Sequence, residues 1–228
     1  MKRLGVFGGT FDPIHYGHLR IAEEARERFG LTRVLFVPNQ VSPFKIGDTT
    51  TPAPLRVELV RRAIESNPHF ELWTGELERE GPSFTVQTLR ALAREFPDFE
   101  RYFLTGTDAV RDIGKWREPE ACVALAQFVA FHRPGVSEGE ARVGVPDELE
   151  PRIIFAAMNG LDISSTEIRE RAQHHLSLRY LVPESVIALI EEKRLYLSPS
   201  DENEGSGEPA ATKAASGHNA SEWPERPL

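Results

Sequence analysis

The stretch from Leu4 to Phe29 limits the fold more than any other part of the chain. Leu4, Val6 and Phe7 make a short apolar run, Gly8 and Gly9 stop it, and Leu19, Ile21, Ala22, Ala25 and Phe29 then recur near helical spacing. A strand that turns at once into a helix is the opening of an α/β unit. The two glycines remove the Cβ atoms that would keep a ligand away from the main chain. The helix start leaves N–H groups unpaired and carries partial positive charge, so the turn suits an anion. Thr10-Phe11-Asp12-Pro13-Ile14-His15-Tyr16-Gly17-His18 fills the handover and brings two histidines to that helix start. Neither GxGxxG nor GxxxxGK[ST] is present, so the commonest dinucleotide and P-loop readings do not apply. A diglycine after a strand is by itself often only a turn. The whole string is what points to a site.

The same alternation continues. Arg33 to Val37 is a second apolar strand closed by Pro38, and Leu55 to Ile64 carries a helical apolar face of Leu55, Leu59, Val60, Ala63 and Ile64. Phe70 to Trp73 is a short strand candidate. Ser83 is placed to cap a helix bearing Val86, Leu89, Leu92, Ala93 and Phe96. Tyr102 to Leu104, Gln127 to Phe131 and Ile153 to Ala157 are further strands; Gly106-Thr107-Asp108 follows the first, and Ser164 opens a helix after the last. A final helix spans about Glu184 to Arg194. Strands alternating with helices predict an α/β fold with a doubly wound, Rossmann-like parallel sheet and a small C-terminal helical part. In such sheets ligands bind beyond the carboxyl ends of the strands, which is where the motifs fall.

Residues 1–197 are expected to form one domain. From Ser198 the periodicity disappears, and 198–228 reads as a disordered, acidic, low-complexity tail. The net charge is −8, half of it within 201–228, so the body is only mildly acidic. That argues against coating nucleic acid and leaves a small anionic ligand open. No apolar run reaches membrane-spanning length and no secretion signal is visible. A single cysteine, Cys122, excludes an internal disulfide framework and goes with a reducing, cytoplasmic setting. Its Ala/Val/Leu-rich surroundings suggest core packing. Asn219-Ala220-Ser221 matches a glycosylation pattern by chance on this reading.

Ile163-Ser164-Ser165-Thr166-Glu167-Ile168-Arg169 is the second dense motif. Ser164 with Glu167 three residues later has the form of a capping box, which would be purely structural. Arg169, about one turn inside, offers a forked donor that could reach the same anion as the cap. No zinc-type cluster of His and Cys is visible, so no protein-held metal is expected.

GGTFDPIHYGH and ISSTEIR resemble the two signatures of the nucleotidylyltransferase superfamily that carries the HxGH motif, whose fold is Rossmann-like. Three further segments are similar to those of bacterial nicotinate-nucleotide adenylyltransferases: Gly75 to Leu89 to their ELxRxGPSYTxDTL stretch, Phe103 to Trp116 to FxxGxDxxxxxxxW, and Val37 to Lys45 to PxxxPPHK. The likeness covers nearly all of residues 1–197. The departures are Phe84 for Tyr, Gln87 for Asp, Phe44 for His, Ser42 for Pro, and Arg117 where an aromatic is common; they bear on the acceptor side.

The resemblance implies adenylyl transfer from ATP to nicotinate mononucleotide, giving nicotinate adenine dinucleotide and pyrophosphate in NAD biosynthesis. It implies small-molecule partners, neither nucleic acid nor membrane, and leaves room for a homo-oligomer. Mg²⁺ is expected to be bound through the ATP phosphates. His15, His18, Lys45 and Arg169 would carry catalysis. Gly8, Gly9, Thr10, Phe11, Gly106, Asp108, Ile163, Ser164 and Ser165 would join His15, His18 and Arg169 around ATP. Asn39, Lys45, Thr85, Asp108 and Trp116 would meet the nicotinate nucleotide. On position alone, Trp116 is equally well explained by core packing. The rival within the superfamily is another HxGH adenylyltransferase, acting on phosphopantetheine or on nicotinamide mononucleotide.

Overall fold

A computed structural model of the chain describes residues 2–40, 51–79, 81–132, 137–157 and 161–197. The expected tail at 198–228 lies outside the described residues, as does Lys45. In chain order the elements are β1 (Lys2–Gly9), α1 (Tyr16–Phe29), β2 (Arg33–Pro38), α2 (Ala53–Ile64), β3 (Phe70–Leu72), α3 (Thr85–Glu95), β4 (Phe99–Gly106), α4 (Thr107–Arg111), α5 (Pro119–Leu125), β5 (Gln127–His132), α6 (Glu138–Arg142), β6 (Ile153–Ala157), α7 (Ser165–Gln173) and α8 (Glu184–Glu192).

The six strands form one sheet in the order β3-β2-β1-β4-β5-β6, and every neighbouring pair runs parallel. This is the doubly wound arrangement. The chain works outward from β1 through β2 to β3, then crosses back to β4 on the other side of β1. At that reversal the connections leave in opposite directions and open a crevice above the carboxyl ends of β1 and β4. Those ends are Gly8-Gly9 and Gly106.

Alternation along each strand feeds two cores. Leu4, Val6, Leu35, Val37, Phe103, Phe128 and Ala130 face Val86, Leu89 and Leu92 of α3, Val110 of α4, Cys122 of α5 and Ala141 of α6. Phe7, Val34, Phe36, Leu104, Val129 and Phe131 face Ala22 and Ala25 of α1, Leu59 and Val60 of α2, Ile168 of α7, and Val186 and Leu189 of α8. The expected C-terminal helical part, α7 and α8, packs on one face of the sheet. Each fully buried large apolar side chain contributes about 1.5–3 kcal/mol relative to exposure. Cys122 is one of these core groups; burial pushes its thiol up to about 11, which leaves it a poor nucleophile.

The expected cap at Ser83 is not formed. α3 starts from Phe84 without a side-chain cap, and the Ser83 hydroxyl instead accepts the Gln40 backbone N–H at 3.0 Å. A serine one residue too early to cap α3 is free to tie the exit of β2 to the entrance of α3.

Candidate active site

The HxGH spacing has a local cause. His15 is the N-cap of α1 and His18 is its third helical residue. The His15 Nδ1 accepts the His18 backbone N–H at 3.4 Å, and the His18 Nδ1 accepts the His15 backbone N–H at 3.3 Å. This is a capping box with imidazoles in place of the usual hydroxyl and carboxylate. The rings stack with centroids 3.7 Å apart. Gly17 between them is required by space: a Cβ there would sit 2.9 Å from the His15 Nδ1.

The cap also sets the chemistry. An imidazole whose Nδ1 accepts carries its proton on Nε2 when neutral, so both rings present an outward N–H donor. Burial holds His15 neutral, pushing it from 6.5 down to about 4. Burial, and then the neighbouring His15, push His18 well below its ordinary value. Two stacked rings are therefore neutral, oriented hydrogen-bond donors at a helix start.

An NMR titration of the imidazole nitrogens should show the Nε2–H tautomer of both rings through neutral pH, with His15 titrating near 4; a His15 midpoint near 6.5 would refute the capped, neutral state. The stability consequence has a definite sign. Unfolded His15 takes its proton near 6.5 and folded His15 near 4, so its contribution is complete above pH 6.5. It declines as the pH falls through that window, by about 3 kcal/mol at full extent.

The turn ahead of the cap is braced from below. Phe11 is buried, at positive φ, with its ring edge-on to His18 at 5.1 Å. A Cβ on Gly9 would fall 2.9 Å from the same ring. The Phe11 side chain, expected among the ATP-binding residues, is thus a support under Gly9 and His18, and only its main chain remains for a ligand. Arg56 holds the turn from the side. It is 1% exposed, and its guanidinium donates to the carbonyls of Thr10 at 2.7 Å, Asn39 at 2.8 Å, Thr51 at 2.9 Å and Gln40 at 3.1 Å. Asn39 completes the link: its Nδ2 donates to the Thr10 Oγ1 at 3.3 Å and its backbone N–H to the Gly9 carbonyl at 3.0 Å. Sequence reasoning missed Arg56. Its only signal was its place on the apolar face of α2, three residues before Leu59.

The second motif is joined to the first. Ser165 donates to the Pro13 carbonyl at 2.9 Å, and Arg169 donates to the Asp12 carbonyl at 2.8 Å and to the Thr166 hydroxyl at 3.3 Å. Ser164 caps α7 by accepting the Glu167 N–H at 3.1 Å; the return arm expected from Glu167 is not formed among the described residues. Ile163 packs against the core beside them. Two of the five N–H donors of Arg169 are engaged, which fixes its fork and leaves donors for an anion. Tyr196, near the end of the described residues, donates to the Asp12 carboxylate at 2.7 Å. Burial, then Asp12, push its hydroxyl up, so it stays a donor.

The Gly8-Gly9-Thr10 turn also lines a cavity of about 660 Å³. Asn39, Thr85, Asp108 and Trp116, the residues that the resemblance assigned to the acceptor, are among those lining it. Trp116 packs between Phe103 and Phe128, at 6.2 and 6.1 Å between centroids, while still facing the cavity. The ring is thus at once part of the core and part of the cavity wall. Glu76 also lines the cavity; it is buried, accepts the Thr88 hydroxyl, and is pushed up by its burial. Gly106 stands at the end of β4 with open space where a Cβ would be.

The chain matches the cytidylyltransferase-like family over residues 6–171. It is 43% identical over 199 residues to the probable nicotinate-nucleotide adenylyltransferase of Desulfitobacterium hafniense, covering 86% of this chain and 96% of that one. To the nicotinate-nucleotide adenylyltransferase of Bacillus subtilis it is 39% identical over 198 residues, covering 87% of this chain and all of the relative. The chain belongs to the nicotinate-nucleotide adenylyltransferase family. Among solved structures, a Plasmodium falciparum nicotinic acid mononucleotide adenylyltransferase complexed with NaAD superimposes with a TM-score of 0.68 at 20% identity, over 86% of this chain and 98% of that one. At that identity the match speaks for the family's fold. Of the family's expected site residues, the fold joins the Ser164 to Arg169 motif to the Asp12-Pro13 turn that leads into the HxGH pair, and gathers Gly8, Gly9, Thr10, Asn39, Thr85, Asp108 and Trp116 around the cavity.

Proposed function

We propose that the protein joins ATP and nicotinate mononucleotide, releasing pyrophosphate and nicotinate adenine dinucleotide. The observation that carries this reading is the shared wall. One glycine turn, Gly8 to Thr10, lines the aromatic-walled cavity and runs on through Asp12 and Pro13, held by Arg169 and Ser165, into the paired imidazoles at the start of α1. A triphosphate at the imidazoles and a mononucleotide in the cavity would meet at the turn.

A phosphate oxygen of the mononucleotide attacks the α-phosphorus of ATP. A new P–O bond forms, the bond to the β-phosphate bridging oxygen breaks, and pyrophosphate leaves with the electron pair. The attacking oxygen is already anionic, so no general base is needed. Neutral imidazoles suit such a reaction, because they donate Nε2–H to phosphate oxygens and take no proton. Holding both reactants in line supplies about 7–11 kcal/mol of the barrier, and donors aimed where charge builds up supply more. Arg169 and the Ser164–Thr166 hydroxyls would neutralise and cradle the phosphates. Lys45 would add a cation to the same region. Mg²⁺ would come with the ATP, bound by phosphate oxygens and water; the imidazole and guanidinium N–H groups of His15, His18 and Arg169 are donors, suited to phosphate oxygens rather than to a metal. A cytoplasmic setting supplied with ATP goes with this chemistry. Among the described residues no helix is long and apolar enough to cross a membrane.

The test is pyrophosphate release with Mg-ATP and a panel of acceptors: nicotinate mononucleotide, nicotinamide mononucleotide and phosphopantetheine. Release with nicotinate mononucleotide, and less with the others, is expected. Faster release with the amide would overturn the choice of acceptor, and silence with all three would overturn the activity.

A further inference from the structure

We infer that Arg117 selects an acceptor carrying a ring carboxylate, by pairing with that carboxylate at the mouth of the cavity. The inference rests on the proposed acceptor and names the side chain that distinguishes it from its amide.

Arg117 lines the cavity next to Trp116, and its guanidinium lies over the Phe84 ring at 5.0 Å from the centroid. A cation held over a ring in this way keeps N–H groups that the ring does not use. The surrounding charges are otherwise spoken for. Lys115, the other cation lining the cavity among the described residues, is paired with Asp112 at 2.6 Å. Glu118, the next residue along the chain, sits at φ 52° with its carboxylate held by Arg90 at 2.6 and 3.1 Å. The Arg117 carbonyl accepts from the Cys122 thiol at 3.8 Å, and its positive charge helps Arg90 hold Glu118 ionised; among the described residues its guanidinium makes no hydrogen bond or close ion pair. Its remaining company in the cavity is acidic, Asp108 and Glu76, a poor environment for a carboxylate without a cation to receive it.

A pyridine ring set against Trp116 would bring its 3-substituent within the range of a neighbouring side chain. A carboxylate there accepts two parallel N–H bonds from the guanidinium edge. A carboxamide offers one acceptor oxygen, no charge, and an NH₂ group that faces the guanidinium donor to donor. The discrimination is electrostatic and sits at a wet rim, so added salt should weaken it.

The test compares wild type, Arg117→Lys and Arg117→Gln, each assayed with nicotinate and nicotinamide mononucleotide at saturating Mg-ATP. Loss of a charge-assisted fork predicts a drop of about 10- to 100-fold in kcat/KM for the acid with Arg117→Gln. That drop should be carried by KM, with a much smaller change for the amide and an unchanged KM for ATP. Lysine should restore part of the acid preference, since it keeps the charge but not the fork. An equal fall for both acceptors would show a structural role and overturn the inference, as would an unchanged acid-to-amide ratio. A wild-type enzyme that uses the acid without preferring it would also overturn it while leaving the proposed function standing. A wild type that accepts neither pyridine nucleotide would sink both.

Discussion

Replacing His18 with alanine should lower kcat by about 10²–10³-fold, the loss typical of one donor to developing charge, while the KM for ATP changes far less. His18 has two jobs, and the substitution removes both. Its Nδ1 closes the cap on the His15 N–H, and its Nε2–H is free to meet a phosphate. His18→Asn separates them, because an asparagine oxygen can still accept the His15 N–H but nothing remains where Nε2–H was. We expect His18→Asn to recover the thermal stability that alanine loses, about 1 kcal/mol for a lost cap, and to recover none of the turnover. If asparagine restored kcat as well, His18 would be a cap and no more. A parallel fall in turnover and ATP affinity would make it only a binding group.

Replacing Arg56 with methionine should produce the largest loss of stability, because it strands four carbonyls. Thr10, Asn39, Gln40 and Thr51 all accept from this one side chain. A buried acceptor left without a partner costs about 1–3 kcal/mol, so even partial relaxation leaves a deficit of about 3–5 kcal/mol. In a domain of this size each kcal/mol moves Tm by about 2–4 °C, so a fall of roughly 10 °C or more should be visible by calorimetry. Arg56→Lys keeps a buried cation but reaches fewer of the four oxygens, and should fold with an intermediate Tm. Its kcat/KM should still fall, since the Thr10 and Asn39 walls would no longer be held to one spacing. A lysine variant with wild-type kinetics would show that Arg56 supports the fold without positioning the site.

The two residues illustrate what a sequence does and does not display. His15 and His18 stood out because imidazoles beside a diglycine turn are rare, yet their reciprocal cap was not visible. It depends on ring orientation, and a histidine is not the residue that capping rules look for. Arg56 was hidden for the opposite reason. It belongs to the buried stripe of α2, where the pattern counts leucine and valine and passes over a cation. The strands were legible from short apolar runs ended by Gly or Pro, and the parallel sheet from their alternation with helices. α4 and α6, with five residues each, are too short to show a period. The union of the two motifs through Asp12, Pro13, Ser165 and Arg169 joins residues more than 150 apart in sequence, and only the strand order brings them together.

The bond from Tyr196 to Asp12 has a consequence for how the protein is made. It ties a residue laid down in the first moments of translation to one synthesised 184 residues later. A domain folds as a unit, and β1 lies between β2 and β4 in the sheet, so the phosphate turn waits for later strands as well. Asp12 receives its last donor only when Tyr196 has cleared the ribosome. A shortened chain ending before Tyr196 would keep every strand of the sheet and still present an open phosphate turn.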